Sequence, residues 1–218
     1  MSAGCGGRDA KGRRLAPLAA ASVDQAGRLL GAAFLDDPVV RYYFEDRDDR
    51  GRAVQAMMTA ATELAVRFGS AYRLDRDERL AGVALLLPPG RRDFPLPAVL
   101  GAVLRRPRLW RARGLRRYFG VAASVDAHRP EQPCWTLVSL GVLPAEQGRG
   151  HGSWLLEQLL ARLPFDAAVF LETFNERNLR FYAAGGFGVT SRFAADRGKG
   201  PQTWTLLRAP GGTGAPGV

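Results

Sequence analysis

Apolar residues recur along this chain with two periods, and the switches between them mark out its elements. Val23, Leu29, Leu30 and Phe34 share one face at helical spacing, behind Ser22-Val23-Asp24-Gln25, where Gln25 stands at the position a capping box requires. A helix is predicted from Ser22 to about Phe34, and Phe34-Leu35-Asp36-Asp37-Pro38 ends it. A short helix should follow over 39–44 and a long one from about Asp49 to Phe68, closed by Gly69. Ala71–Leu74 and Leu80–Leu87 read as antiparallel strands joined through the polar turn Asp75–Glu78, and Pro88-Pro89-Gly90 stops the second. Residues 98–125 return to a helical pattern broken at Pro107. A strand over Trp135–Val142, a glycine-rich turn and a helix over Ser153–Leu160 come next. They are followed by an apolar strand at 167–174, a short helix over Arg177–Ala184 closed by Gly185-Gly186, and a hairpin of Gly188–Phe193 with Gln202–Leu207. Arg14–Ala19 is a candidate first strand. This order predicts a mixed α/β protein with one parallel crossover.

Composition narrows the class. With 218 residues, 46% of them hydrophobic, the chain suits one α/β domain with a sizeable core. That domain is placed at 14–208, between a flexible leader at 1–13 and a Gly/Pro-rich tail, expected to be disordered, at 209–218. No apolar run approaches the roughly 20 residues of a membrane-spanning helix, and the N-terminus lacks the apolar segment of a secretory signal. A cytoplasmic protein without a membrane partner is expected, as monomer or homodimer. Cys5 and Cys134 have neither disulfide nor metal-ligand spacing, so no metal is expected and Cys134 reads as a core thiol.

The charge is +10, from 31 basic and 21 acidic residues. The basic residues, nearly all arginine, cluster at Arg105, Arg106, Arg108, Arg111, Arg113, Arg116 and Arg117, interleaved with Leu104, Leu109, Trp110 and Leu115. That interleaving suits amphipathic helix packed by its apolar side, with solvated arginines outside. No motif points to nucleic acid as a partner, although a positive field would steer an anionic ligand inward.

The run Gln147-Gly148-Arg149-Gly150-His151-Gly152-Ser153 carries the most chemistry. Strand, glycine turn and helix start together make a diphosphate site: glycines let the backbone approach, orphan N–H groups point at the anion, and the helix dipole favours negative charge. Gln-x-x-Gly-x-Gly matches neither the dinucleotide pattern nor the P-loop. It resembles the acetyl-coenzyme A signature of the GNAT superfamily of N-acetyltransferases, and the resemblance extends over about Leu15 to Arg208. It implies a mostly antiparallel central sheet flanked by helices, with a splayed strand pair that admits the pantetheine arm of acetyl-CoA.

The resemblance also implies roles. The strand before the turn would pair with pantetheine and polarise the thioester carbonyl through backbone at Leu140, Gly141 and Val142. Gly141 fits a bulge there, or serves packing alone. Gln147, Gly148, Arg149, Gly150, His151, Gly152 and Ser153 would hold the diphosphate, with the Gln147 and Arg149 side chains in reach. His151 is read as solvent-facing or at the cofactor's rim. The second signature, Asn175, Asn178, Tyr182 and Gly186-Phe187, would bring Asn175 or Asn178 to the cofactor arm and Tyr182 to the departing thiolate as general acid. The alternative for Tyr182 is a core aromatic. Glu172, alone among apolar neighbours in its strand, is the first candidate for general base, or else a structural carboxylate. His128 is the second.

Further similarity is to the puromycin N-acetyltransferase-like group of small-molecule acetyltransferases, through Asp37-Pro38, His128-Arg129-Pro130, Phe170-Leu171-Glu172-Thr173 and Gly200 to Trp204. Residues 70–126 depart from it. Phe34, Tyr42, Tyr43 and Trp135 are candidates to line an acceptor pocket for an aromatic or amphiphilic amine, or plain core. The expected activity is acetyl transfer from acetyl-CoA to a small primary amine by direct attack. A protein or peptide acceptor and a non-catalytic acyl-CoA-binding module are the alternatives.

Overall fold

Asp77 and Glu78 both take left-handed backbone angles, with φ of 48° and 67°. Two such residues in succession match the right-handed twist of the strands they join. In the computed structural model, which describes residues 8–45, 48–91, 93–106, 109 and 112–212, this turn links β2 (Ser70–Arg76) to β3 (Arg79–Leu87). Every residue of β3 after Arg79 is buried, as in a strand covered on both faces. β1 (Arg13–Pro17) pairs antiparallel with β2, and β4 (Trp135–Val142) antiparallel with β3. β5 (Val169–Thr173) lies parallel to β4, followed by β7 (Gln202–Arg208) and the edge strand β6 (Gly188–Ala194), both antiparallel. The sheet order is β1-β2-β3-β4-β5-β7-β6. The mixed, mostly antiparallel α/β fold anticipated from sequence is the fold observed.

Strand alternation sorts the core into two layers. Val83, Leu85 and Phe170 meet Leu30, Val40, Val54 and Val121. These four come from α1 (Val23–Ala33), α2 (Pro38–Tyr43), α3 (Arg50–Phe68) and α5 (Ala112–Asp126). Ala84, Leu86 and Leu171 meet Leu155, Leu156, Leu159 and Tyr182 on the other face, supplied by α6 (His151–Leu160) and α7 (Asn178–Ala184). α4 (Leu96–Leu104) rests on α3 through Ala102, Ala60 and Leu64. α1 and α3 approach closely at Gly27, where a Cβ would lie 2.7 Å from the Thr59 Cα.

Local signals held unevenly. Asp37 caps α2, accepting from the Val39 N–H at 3.0 Å, with Pro38 in the first turn. Ser22 is the residue before α1, but its side chain makes no capping bond; the hydroxyl accepts from Arg73 at 3.3 Å. The predicted capping box is therefore replaced by a tie between α1 and β2. Arg105 and Arg106 both bind Glu63, and Arg117 binds Glu45 and lies 4.5 Å over the Tyr42 ring. These arginines thus brace helices.

The predicted break at Pro107, together with Arg108, Trp110 and Arg111, lies outside the described residues, as do Cys5, residues 1–7 of the expected leader and 213–218 of the expected tail. Asp9 accepts from the Lys11 and Arg13 N–H groups, so the chain is turned before β1 begins. At the other end the Gly211 N–H donates to the Phe165 carbonyl. Among the described residues no helix is long and apolar enough to cross a membrane.

Candidate active site

β4 and β5 are partners only at Trp135–Val169 and Thr136–Phe170. Beyond that point β4 stays on β3 and β5 on β7, so the two strands part. The parting leaves backbone donors and acceptors of β4 without a strand on one side, an edge that an extended amide-bearing chain can join. Leu85 faces Ser139 while Leu86 faces Leu137, so Val138 is the extra residue of a bulge. Of the two readings of Gly141, bulge or packing, the structure shows packing; the bulge falls three residues earlier. Gly141 pairs in register with Val83, as Leu140 does with Ala84 and Val142 with Gly82. It is glycine because a Cβ would lie 2.8 Å from the Leu30 Cδ2 and 3.2 Å from the Ala33 Cβ.

The turn after β4 is shaped for an anion. Gly148 and Gly150 take φ of 74° and 77°, and a Cβ on either would meet nothing within 4 Å. Gly150 is the N-cap of α6, and no side chain caps that helix. The first N–H groups of α6, at His151, Gly152 and Ser153, are therefore left without a side-chain cap at the positive end of the helix dipole. These features fit a diphosphate. The side chains add less than predicted. The Gln147 amide donates to the Val142 carbonyl at 3.1 Å, bracing the turn where a phosphate contact was expected. Arg149 is exposed, with its guanidinium 3.5 Å from Glu146. His151 is 5% exposed, contrary to the solvent-facing expectation, and its Nε2 lies 3.2 Å from the Glu146 carboxylate. The Arg76 hydrogen bond to Glu146 at 2.7 Å holds that carboxyl below its ordinary pKa.

Glu172 stands on β5 opposite Thr205, beside the parting strands. The residue as a whole is half-buried, but Oε2 is sealed from solvent and has no hydrogen-bond partner. Desolvation pushes its pKa to about 7, against the opposing charge of Arg129. Tyr182 on α7 is buried, and burial, aided by the charges of Glu172 and Asp37, raises its pKa above the ordinary phenol value. Its hydroxyl thus keeps its proton at neutral pH. Glu172, a carboxyl with a raised pKa, and Tyr182, a protonated phenol, lie within electrostatic reach of each other.

Between β5 and α7 the two asparagines divide their work. The Asn175 side-chain oxygen accepts from the Arg177 N–H at 3.1 Å, so it serves the turn. Asn178 donates its amide to the Thr173 hydroxyl at 3.1 Å, which leaves its carbonyl oxygen as the acceptor to offer.

The four predicted acceptor residues do not form one group. Trp135 packs with the α6–α7 layer, whereas Phe34, Tyr42 and Tyr43 pack with the opposite layer. The Tyr42 hydroxyl donates to Asp196 at 2.7 Å, and Arg117 covers its ring. Phe34 lies against Gly141, its Cε2 3.3 Å from a Cβ there. Tyr43 packs at a tilt against Tyr118 of α5, ring centroids 5.7 Å apart, and burial raises both phenols. His128 spends Nδ1 on the Ser124 carbonyl and stacks on Phe193 at 3.8 Å. Arg129 and Tyr118 were not singled out from sequence. Arg129 donates to the Thr136 hydroxyl at 2.6 Å and lies 4.5 Å over Phe170. A signal existed: Thr136 is a buried hydroxyl in the strand and requires a partner.

Comparison with known proteins agrees with this geometry. The sequence model of the Acetyltransferase (GNAT) family matches residues 33–187. Among solved structures, one titled histone acetyltransferase HPA2 and related acetyltransferase, from Corynebacterium glutamicum, is 23% identical with a TM-score of 0.68, over 95% of this chain and 99% of that one. Arylalkylamine N-acetyltransferase 2 from Aedes aegypti is 12% identical with a TM-score of 0.64, over 90% and 98%. Drosophila melanogaster polyamine N-acetyltransferase is 13% identical with a TM-score of 0.60, over 90% and 99%. At these identities the likeness to the three structures is one of fold.

Proposed function

The chain belongs to the acetyltransferase (GNAT) family, and we propose that it moves an acetyl group from acetyl-CoA to the primary amine of a small molecule by direct attack within a ternary complex. The observation that carries this reading is Glu172: a carboxyl beside the opened strands whose Oε2 is sealed from water without a hydrogen-bond partner, and whose pKa desolvation raises to about 7. A primary amine arrives at neutral pH as an ammonium and must lose a proton before it can attack. A carboxyl with pKa near the working pH is suited to take it.

Acetyl-CoA, when bound, supplies the acetyl group as a thioester. The N–H groups of His151, Gly152 and Ser153, with the glycine turn at Gly148 and Gly150, would hold its diphosphate. The free edge of β4 at Leu140 and Val142 would pair with the amide-bearing arm, and the Asn178 carbonyl would accept from that arm. Glu172 takes the amine proton through its carboxylate. Tyr182 holds a proton at its hydroxyl for the sulfur as it leaves. The small-amine acceptor is supported by relatives titled for arylalkylamine and polyamine acetylation. Membership of the puromycin N-acetyltransferase-like group belongs to the same proposal. The relative titled for histone acetylation favours a lysine side chain as the second reading.

Thiol release from acetyl-CoA with a panel of small primary amines and lysine peptides tests the reading. Small amines should turn over and peptides should not. Glu172→Gln should lower kcat/KM at least about 100-fold and Tyr182→Phe kcat at least about tenfold, with coenzyme affinity within about twofold in both. Full turnover by Glu172→Gln would remove Glu172 as the base, and turnover of peptides alone would replace the small-amine acceptor.

A further inference from the structure

We propose that the acceptor is a primary amine with an apolar tail, and that the tail sits in a cavity built by α3, α4 and α5 behind Tyr43 and Tyr118. This rests on the small-amine reading above and assigns the part of the acceptor that chemistry at the amine leaves open.

The cavity measures about 100 Å³. Tyr43 and Tyr118, with ring centroids 5.7 Å apart, line it together with Met57, Leu64, Phe94 and Phe119. None of the lining residues is charged. Glu172 stands two residues after Phe170 on β5 and so takes the face of the sheet on which Phe170, Tyr43 and Phe94 pack; its charge is also among those that raise both phenols. An amine delivering its proton to Glu172 thus has an apolar recess beyond the two rings for its substituent. The site is complementary to a cation at one end and to hydrocarbon at the other.

A substrate with a second ammonium at the far end of its chain would bury that charge among Met57, Leu64 and Phe94 without a partner, an arrangement proteins avoid. Size follows by comparison with a dry cavity of about 150 Å³ that holds the six carbons of benzene, which leaves room here for roughly four. Two of the three helices that form the recess, α4 and α5, fall in 96–126, within the stretch where the sequence departs from its resemblance. This chain's own sequence there therefore shapes the selectivity.

The test compares kcat/KM, by thiol release, for ethylamine, butylamine, hexylamine and octylamine, with 1,4-diaminobutane as the dicationic control. The value should rise about threefold to fourfold per methylene until the recess is filled and then level off, and 1,4-diaminobutane should fall at least about tenfold below butylamine. Ala61→Phe, which narrows the cavity, should lower the hexylamine-to-ethylamine ratio. Leu64→Ala, which widens it, should move the plateau to longer chains. Paired shifts in opposite directions would not arise from lost stability. A flat alkylamine series, a diamine as good as butylamine, or ratios unchanged in both variants would overturn the proposal while leaving small-amine acetylation in place. No turnover with any amine, ethylamine included, would overturn both.

Discussion

Glu172 combines an unfavourable position for a charge with the chemical use proposed for it. In the folded protein it keeps its proton up to about 7, whereas in the unfolded chain it loses it near 4.5. Between those values the native state binds a proton that the unfolded state does not, so stability falls as pH rises through that window. Glu172→Gln should therefore be more stable than the parent above pH 7, by about 1–3 kcal/mol, and equal to it at pH 4. Urea denaturation at the two pH values checks this; equal stability at both would mean the carboxyl is not desolvated. Arg129 works the other way, holding the Glu172 pKa down. Arg129→Met should keep packing on Phe170 and move the acid limb of kcat/KM to higher pH. A limb moved by about one pH unit would cut activity at pH 7 roughly fivefold. A lower rate with an unmoved limb would make Arg129 purely structural. Glu172 was legible in the sequence as a carboxylate in an apolar strand. Arg129 was not, because its partner Thr136 is seven residues away and only the fold brings the guanidinium over Phe170.

At the scale of elements, periodicity located almost every helix and strand, since burial of one face dictates the spacing of apolar residues. It did not locate irregularities. The bulge sits at Val138, not Gly141, because the register against β3 is set by both strands together. Gly141 answers to α1, and Gly27 answers to α3 in the same way: a Cβ on Gly27 would lie 2.7 Å from the Thr59 Cα, a backbone atom that no rotamer change can move. Gly27→Ala should separate the two helices at a cost of about 1–3 kcal/mol, occasionally more. In a chain of this length that lowers Tm by roughly 3–10 °C. Calorimetry checks it, and an unchanged Tm would mean the α1–α3 contact is looser than described. The left-handed pair Asp196 and Arg197, with φ of 47° and 55°, likewise carried no sequence signal. It is held from outside: the Ser124 hydroxyl accepts from the Asp196 N–H at 3.0 Å, and the Tyr42 hydroxyl donates to the Asp196 carboxylate.

For the molecule as a whole, a net charge of +10 acts at a distance on a coenzyme that carries several negative charges. Raising ionic strength from about 20 to about 500 mM should raise KM for acetyl-CoA about threefold to tenfold with little change in kcat, since screening weakens capture and leaves the contacts proposed at Gly148 to Ser153 intact. A salt-independent KM would confine the charge to bracing helices, as the Glu63 pairs with Arg105 and Arg106 already do.

The sequence by itself determined the mixed sheet, the glycine turn leading into α6, and the acid and base candidates Tyr182 and Glu172. The sheet, the turn and Glu172 follow from neighbours within a few residues: apolar periodicity, glycine at a helix start, a carboxylate among aliphatic side chains; Tyr182 as the acid came with the family resemblance. Only the tertiary structure decided where β4 and β5 part, after Thr136, that Trp135 and Tyr43 lie on opposite faces of the sheet, and that Tyr118 packs against Tyr43. Those depend on which elements become neighbours, and helix and sheet packing settles that through contacts between residues far apart in the chain.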